Sequence, residues 1–180
     1  MKKLFMFIFI CFTTPEIFAQ KQDKISGYFL LDYNTTLYDR TLGNNPSSVG
    51  VDAQVMVNTK TIFKPLIEIN AQCSLEDDDV LRVTENREAV PDARGIINVF
   101  AGSAFKFSNC FYFSFDMGPS LIDSNTYFGI KPSCNFYFSK RKRITAQVFY
   151  LNIFNRALNY AETKKEDFGS IGLGIGIKLF

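Results

Sequence analysis

Apolar and polar positions alternate along much of the chain. Val49, Val51, Ala53, Val55 and Val57 alternate with Ser48, Gly50, Asp52, Gln54, Met56 and Asn58. Ile67, Ile69, Ala71, Cys73 and Leu75 alternate with Glu68, Asn70, Gln72 and Ser74, and Phe111, Phe113, Phe115 and Met117 with Tyr112, Ser114, Asp116 and Gly118. A period of two sends successive side chains to opposite faces of a strand, so each stretch predicts a strand with one apolar and one mainly polar face. Weaker rows at Ile25–Asn34, Ile96–Phe107, Tyr127–Phe138, Arg143–Leu151 and Phe168–Phe180 bring the set to eight. Pro132 falls inside the sixth row and has no N–H to give to a ladder, which predicts a bulge or local distortion there.

The connections between these rows alternate in length. Residues 35–47, 76–94 and 152–167 form long connections and 119–126 a medium one. Those around Thr59–Lys64, Ser108–Asn109 and Lys140–Lys142 are short. All the longer ones fall at one end of an up-and-down arrangement, and both termini fall at the other. The predicted fold class is all-β: an eight-stranded antiparallel up-and-down transmembrane β-barrel with its termini and short turns on the periplasmic side.

Alternation alone does not say which face points outward, because a lipocalin-type soluble barrel has the same strands with the faces reversed. The polar rows carry Asp32, Asp52, Glu68, Lys106, Asp116, Lys131, Arg143 and Lys178. Mixed charges pair inside a narrow lumen but spoil an apolar ligand cavity. Composition points the same way, with 20 Phe and 8 Tyr among 180 residues. Phe63, Phe105, Phe107, Phe111, Phe136, Tyr137, Phe138 and Phe180 bracket the short turns as one aromatic belt. Tyr33, Tyr127, Phe128, Tyr150 and Phe168 form a second belt near the other interface.

The first residues read as an export signal. Lys2 and Lys3 precede the uninterrupted apolar run Leu4–Phe12, Pro15 breaks it, and cleavage is expected after Ala19. This divides the chain into a cleavable signal peptide, residues 1–19, and a barrel domain, residues 20–180. The run is too short to span a bilayer as a helix, which takes about 20 residues. Cys11 follows Ile8, Phe9 and Ile10 rather than small residues, which argues against lipid attachment. Cys73, Cys110 and Cys134 lie beyond the signal in a compartment that permits oxidation. Placement of Cys73 and Cys134 on non-neighbouring strands leads us to expect free thiols.

An N-terminal signal, eight alternating strands and a final row Ile171, Leu173, Ile175, Ile177 ending at Phe180 resemble the small bacterial outer-membrane β-barrels of the OmpA-transmembrane-domain and OmpX kind. The resemblance is one of pattern and covers the whole chain after the signal. It implies residence in the bacterial outer membrane, with lipid and lipopolysaccharide as surroundings. It also implies that the barrel-assembly machinery reads Ile171, Leu173, Ile175, Ile177 and Phe180 during biogenesis. One departure is visible: Phe180 is out of phase with the Ile/Leu row, which runs on to Leu179.

Little in the sequence suggests chemistry. There is no histidine, which removes imidazole-activated nucleophiles and His metal sites. The lipid A-modifying and phospholipase barrels of the same architecture generally rely on one. A formal net charge of +2 gives no reason to expect nucleic acid as a partner. Gly172, Gly174 and Gly176 cannot form a nucleotide loop, since no helix follows, and are read as lumenal positions in a crowded barrel. The carboxylates of Glu76–Asp79 are of the type that binds a divalent cation but match no calcium-loop spacing, and Lys140–Arg143 lies where lipid phosphate is the alternative contact; both are read as solvated charge, the second in a periplasmic turn. We therefore expect no catalytic group, metal or cofactor. Asp52, Glu68, Asp116 and Lys131 are expected to form a lumenal charge network, with Asp116 and Lys131 as cross-strand neighbours. An eight-stranded barrel is only wide enough for its own side chains to fill. The expectation is thus a non-enzymatic membrane barrel that supports the envelope or binds through its outer loops, with a narrow solute channel and a soluble carrier as alternatives.

Overall fold

The computed structural model describes residues 24–38, 47–75, 81–83, 89–91, 95–108, 110–122, 125–138, 143–158 and 161–180. The expected signal peptide, the Glu76–Asp79 run and the turn at Lys140–Lys142 lie outside them. The described residues form ten strands: β1 (Ile25–Tyr38), β2 (Ser47–Val57), β3 (Phe63–Leu75), β4 (Leu81–Val83), β5 (Ala89–Pro91), β6 (Gly95–Lys106), β7 (Phe111–Ile122), β8 (Asn125–Tyr137), β9 (Ile144–Leu158) and β10 (Ala161–Lys178). Eight of them close an antiparallel barrel in the order β1-β10-β9-β8-β7-β6-β3-β2, while β4 and β5 pair as a small separate hairpin. β1 is paired on both sides, Leu30 lying opposite Asp52 of β2 and Gly176 of β10, so the barrel has no open edge.

The alternation fixes which way each row faces. Val49, Val51, Val55, Val57, Ile67 and Ile69 are exposed on the outside, and Ser48, Asp52, Gln54, Glu68, Asn70 and Gln72 are buried inside. This is the reverse of a water-soluble barrel. An apolar exterior around a hydrogen-bonded wall with no edge is what a bilayer requires of a β-structure. The fold is that of a transmembrane β-barrel.

Aromatic side chains ring the outside at the end that holds both chain termini. Phe63 meets Phe105 edge-on at 4.9 Å between centroids, Phe105 meets Phe113, and Phe111 packs between Phe107 and Phe136. Three members expected in the belts are placed differently. Tyr137 and Phe168 point into the lumen and are buried, and Tyr127, opposite lumenal Ser120, packs half-buried against the interior cluster, because each lies on the inward phase of its strand. At the opposite end Phe128 stacks on Phe154.

The strands run further at that opposite end than the sequence predicts. The expected connection 119–126 is mostly strand, with β7 reaching Ile122 and β8 starting at Asn125. The expected loop 152–167 is likewise largely an extension of β9 and β10. Gly118 and Pro119 look like strand breakers, yet the β6–β7 ladder simply skips them and resumes in the same register. Pro132 behaves in the same way: β8 and β9 pair at Ile130–Asn152 and again at Ser133–Phe149 with no slip, so the expected disturbance takes the form of a local interruption of the ladder rather than a bulge. A missing N–H costs one ladder bond, and neighbouring bonds hold the register.

β9 and β10 continue as a two-stranded ribbon past their neighbours. Phe154 is the last β9 residue paired to β8, and Gly169 the first β10 residue paired to β1. Where the ribbon leaves the barrel its register shifts between Glu166 and Phe168. Asn155 there adopts a left-handed backbone with φ 53°, and its N–H donates to the Asp167 carboxylate at 2.9 Å. Asn is among the few residues that tolerate this conformation.

Candidate functional site

The lumen is stratified. Toward the termini lies an apolar cluster of Tyr28, Leu30, Met56, Leu66, Ala104, Tyr112 and Tyr137. Toward the other end lies a second cluster of Ile96, Phe100, Ile122, Phe149, Leu151, Ile153 and Phe168. Charged and amide side chains fill the stratum between. Lys131 of β8 donates to Asp52 Oδ2 of β2 at 2.7 Å and to Glu68 Oε1 of β3 at 2.6 Å, and all three side chains are fully buried. The second oxygen of each carboxylate is also engaged: Gln54 donates to Glu68 Oε2 at 2.7 Å, and Asn70 donates to Asp52 Oδ1. Asn70 is bonded in turn to Asp32 at 3.2 Å and by Asn98 at 2.8 Å, while Asn34 donates to Asp32 at 2.6 Å. The Lys131 ammonium also sits 4.1 Å from the centroid of the Phe149 ring.

Of the four expected network residues, three form the ion pairs and Asp116 does not. Asp116 lies directly opposite Lys131 in the β7–β8 register, as the sequence suggests. Lys131 nevertheless crosses the lumen, and neither oxygen of the Asp116 carboxylate accepts a hydrogen bond. β2 stands four strands around the ring from β8, so the Lys131–Asp52 pair spans the barrel's full width. Two carboxylates, each already held by an amide donor, outcompete one carboxylate on the adjacent strand. Asp116 instead occupies the space over Gly102, where a Cβ would strike it. A second polar group lies on the wall of β7, β8 and β9. There Ser114 and Ser133 share a 2.6 Å hydrogen bond, and Asn135 and Gln147 both donate to Ser133.

The glycines at 172, 174 and 176 are lumenal, as expected. At Gly172 the vacated volume is taken by the Phe149 ring and Asn34, so a side chain from β9 and one from β1 meet over β10. Cys73, Cys110 and Cys134 are free.

The last strand places Ile171, Leu173 and Ile175 on the exposed exterior. At its end Leu179 N–H donates to Gly27 carbonyl at 2.8 Å, and Gly27 N–H donates to Phe180 carbonyl at 3.1 Å. Two residues therefore oppose one, which is a β-bulge. The extra residue returns Phe180 to the outward phase, and its ring covers Gly27, where any Cβ would collide with it. The apparent phase error of Phe180 in the sequence is thus removed by the backbone. Nothing in the alternation announces this, although a glycine on the opposing strand is the feature that permits it.

No protein-family model matches this sequence, and no curated protein resembles it at the sequence level. Solved structures do resemble the fold. Neisserial surface protein A superposes with a TM-score of 0.54 at 8% identity, covering 86% of this chain and 97% of that one. Ail, the attachment invasion locus protein of Yersinia pestis, superposes with a TM-score of 0.51 at 13% identity, covering 86% of this chain and 95% of that one. The architecture is that of the small bacterial outer-membrane β-barrels.

Proposed function

We propose that this chain is a non-enzymatic outer-membrane barrel, closed to solutes, that serves the cell surface through the segments at its far end. The observation that carries this reading is the packed lumen. A fully engaged Lys131–Asp52–Glu68 network lies between two apolar plugs, an arrangement suited to holding a wall together and unsuited to passing water or ions. The far end holds the last residues of β1 and β3, the first of β2 and β6, and the β9–β10 ribbon, and the β4–β5 hairpin falls in the sequence between β3 and β6. In this reading the connections 39–46 and 76–94 and the β9–β10 ribbon face the exterior, the termini face the periplasm, and an N-terminal signal of residues 1–19 directs export. The two superposed neighbours are named as an attachment protein and a surface protein, and contact at the cell surface is the role we take for this one.

Two measurements test the reading. Purified protein should shift its gel migration on heating after extraction from outer membranes, and should give no stable conductance in planar bilayers. Sustained ohmic conductance would overturn the closed-barrel assignment. Recovery from the periplasm without detergent would overturn the membrane assignment. Protease added to intact cells should cut in 39–46 or 76–94 and spare 139–142, and the opposite pattern would invert the orientation.

A further inference from the structure

The end of the barrel that holds the termini is not sealed flush. It opens as a cavity of about 770 Å³ whose wall carries five lysines, Lys24, Lys60, Lys64, Lys106 and Lys178. Tyr28, Tyr112 and Tyr137, part of the lower apolar plug, also line it, so the cavity is a blind vestibule beneath a closed lumen. The lysines come from separate places in the sequence: the start of β1, the β2–β3 turn, and the ends of β3, β6 and β10. Barrel closure alone brings them to one level. Lys64 lies close enough to Lys106 and Lys178 to feel the repulsion of both. No Asp, Glu or Arg is among the described residues lining the vestibule.

Membrane-facing lysines at a barrel rim ordinarily splay outward to lipid headgroups. Here they surround a concavity large enough for a small organic ligand. Lys64 is also positioned, its ammonium donating to Asn58 Oδ1 at 2.7 Å while Asn58 donates to Ser26 at 2.7 Å. Ammonium groups act as compact, mobile point charges, and several converging on one cavity can each reach a different oxygen of a multiply charged phosphate group. We propose that this vestibule is a binding site for a phosphate-bearing polyanion approaching from the periplasmic side. The site is separate from whatever the far-end segments contact, and it rests on the proposed orientation only for the side from which the anion arrives. The phosphate has two available sources, a soluble polyphosphate-type anion and an anionic lipid headgroup.

The test uses the folded barrel in an uncharged glycoside detergent, with calorimetric titration of inorganic tripolyphosphate and, separately, of dihexanoyl-phosphatidylglycerol. Saturable one-to-one binding that weakens with added salt is expected for at least one probe. The probe that binds identifies the source. The Lys64→Gln/Lys106→Gln variant should bind about tenfold more weakly or worse, a change of about 1.4 kcal/mol. Lys164→Gln/Lys165→Gln removes the same charge from the far end of the sequence's last hairpin and should bind like the parent. Heat-modifiable migration verifies that each variant is folded. In the parent protein, amide shifts on titration should map to Lys64, Lys106 and Tyr112. No saturable binding of either probe, equal loss in both double variants, or shifts confined to the far end would overturn the proposal.

Discussion

Replacing Lys131 by Met tests the lumenal network most directly. The substitution keeps a long flexible chain against Phe149 but removes the ammonium that Asp52 and Glu68 share at 2.7 and 2.6 Å. Each carboxylate retains one amide donor, from Asn70 and Gln54 respectively. Two buried anions would then face one another without a cation, in a stratum closed above and below by apolar side chains. Breaking a buried ion pair on one side costs about 3–5 kcal/mol, and the presence of a second carboxylate argues for the upper part of that range. Urea unfolding in phospholipid vesicles, followed by the loss of heat-modifiable migration, measures it. Removing the charges together in Lys131→Met/Asp52→Asn/Glu68→Gln should recover most of the loss. Asp116→Asn should change stability by less than about 1 kcal/mol, because neither oxygen of that carboxylate accepts a hydrogen bond. A Lys131→Met barrel as stable as the parent, or an Asp116→Asn barrel as damaged as Lys131→Met, would refute the assignment of the pairs.

Other substitutions probe the exterior, the ribbon and the glycine row. Ile69→Arg, at an exposed position midway along β3, should cost about 2–4 kcal/mol in vesicle unfolding, whereas Ile62→Arg in the β2–β3 turn should cost about 0–1 kcal/mol; equal costs would mean the apolar band is misplaced. Asn155→Val should strain the left-handed residue at the ribbon's base by about 1–2 kcal/mol. This should be visible as faster proteolysis of the β9–β10 ribbon with an unchanged barrel, while Asn155→Gly should resist protease like the parent. Gly172→Ala should lower the unfolding free energy, measured by urea titration in vesicles, by about 1–3 kcal/mol because Phe149 and Asn34 already fill its space. Gly174→Ala, whose added carbon meets nothing nearer than 3.6 Å, should be tolerated.

What could be read from the sequence follows from what period two encodes. It assigns each residue a face, so the exposed Val and Ile rows of β2 and β3 and the buried Asp52, Glu68, Asp116 and Lys131 all fall where the alternation places them. It does not encode which strand lies across the lumen. Asp116 was the natural partner for Lys131 because the two are register neighbours, whereas the Lys131–Asp52 contact exists only once eight strands have closed into a ring. Strand ends are hidden from the alternation for a related reason. Polar and proline-containing stretches such as 119–122 and 161–167 do not look like strands, but each has a paired neighbour that supplies its backbone hydrogen bonds. The bulge at Phe180 and the lysine vestibule were illegible because each depends on residues far apart in sequence meeting at one end of the barrel.

The glycine row of β10 bears on how such a barrel can close at all. The seam joins β1 to β10, pairing Tyr28 with Lys178 and Asn34 with Gly172 across nearly the whole length of the chain. Contacts of such sequence separation carry a large loop-closure entropy and form slowly. Across the middle of the strand that completes this seam, Gly172, Gly174 and Gly176 present no side chain to the interior. Leu30 and Phe149, anchored on the two strands flanking it, reach over that strip. β10 can therefore slide into register along its neighbours without threading bulky groups past an interior that is already packed. The row that looks like a weakness in the finished wall lowers the steric barrier to finishing it.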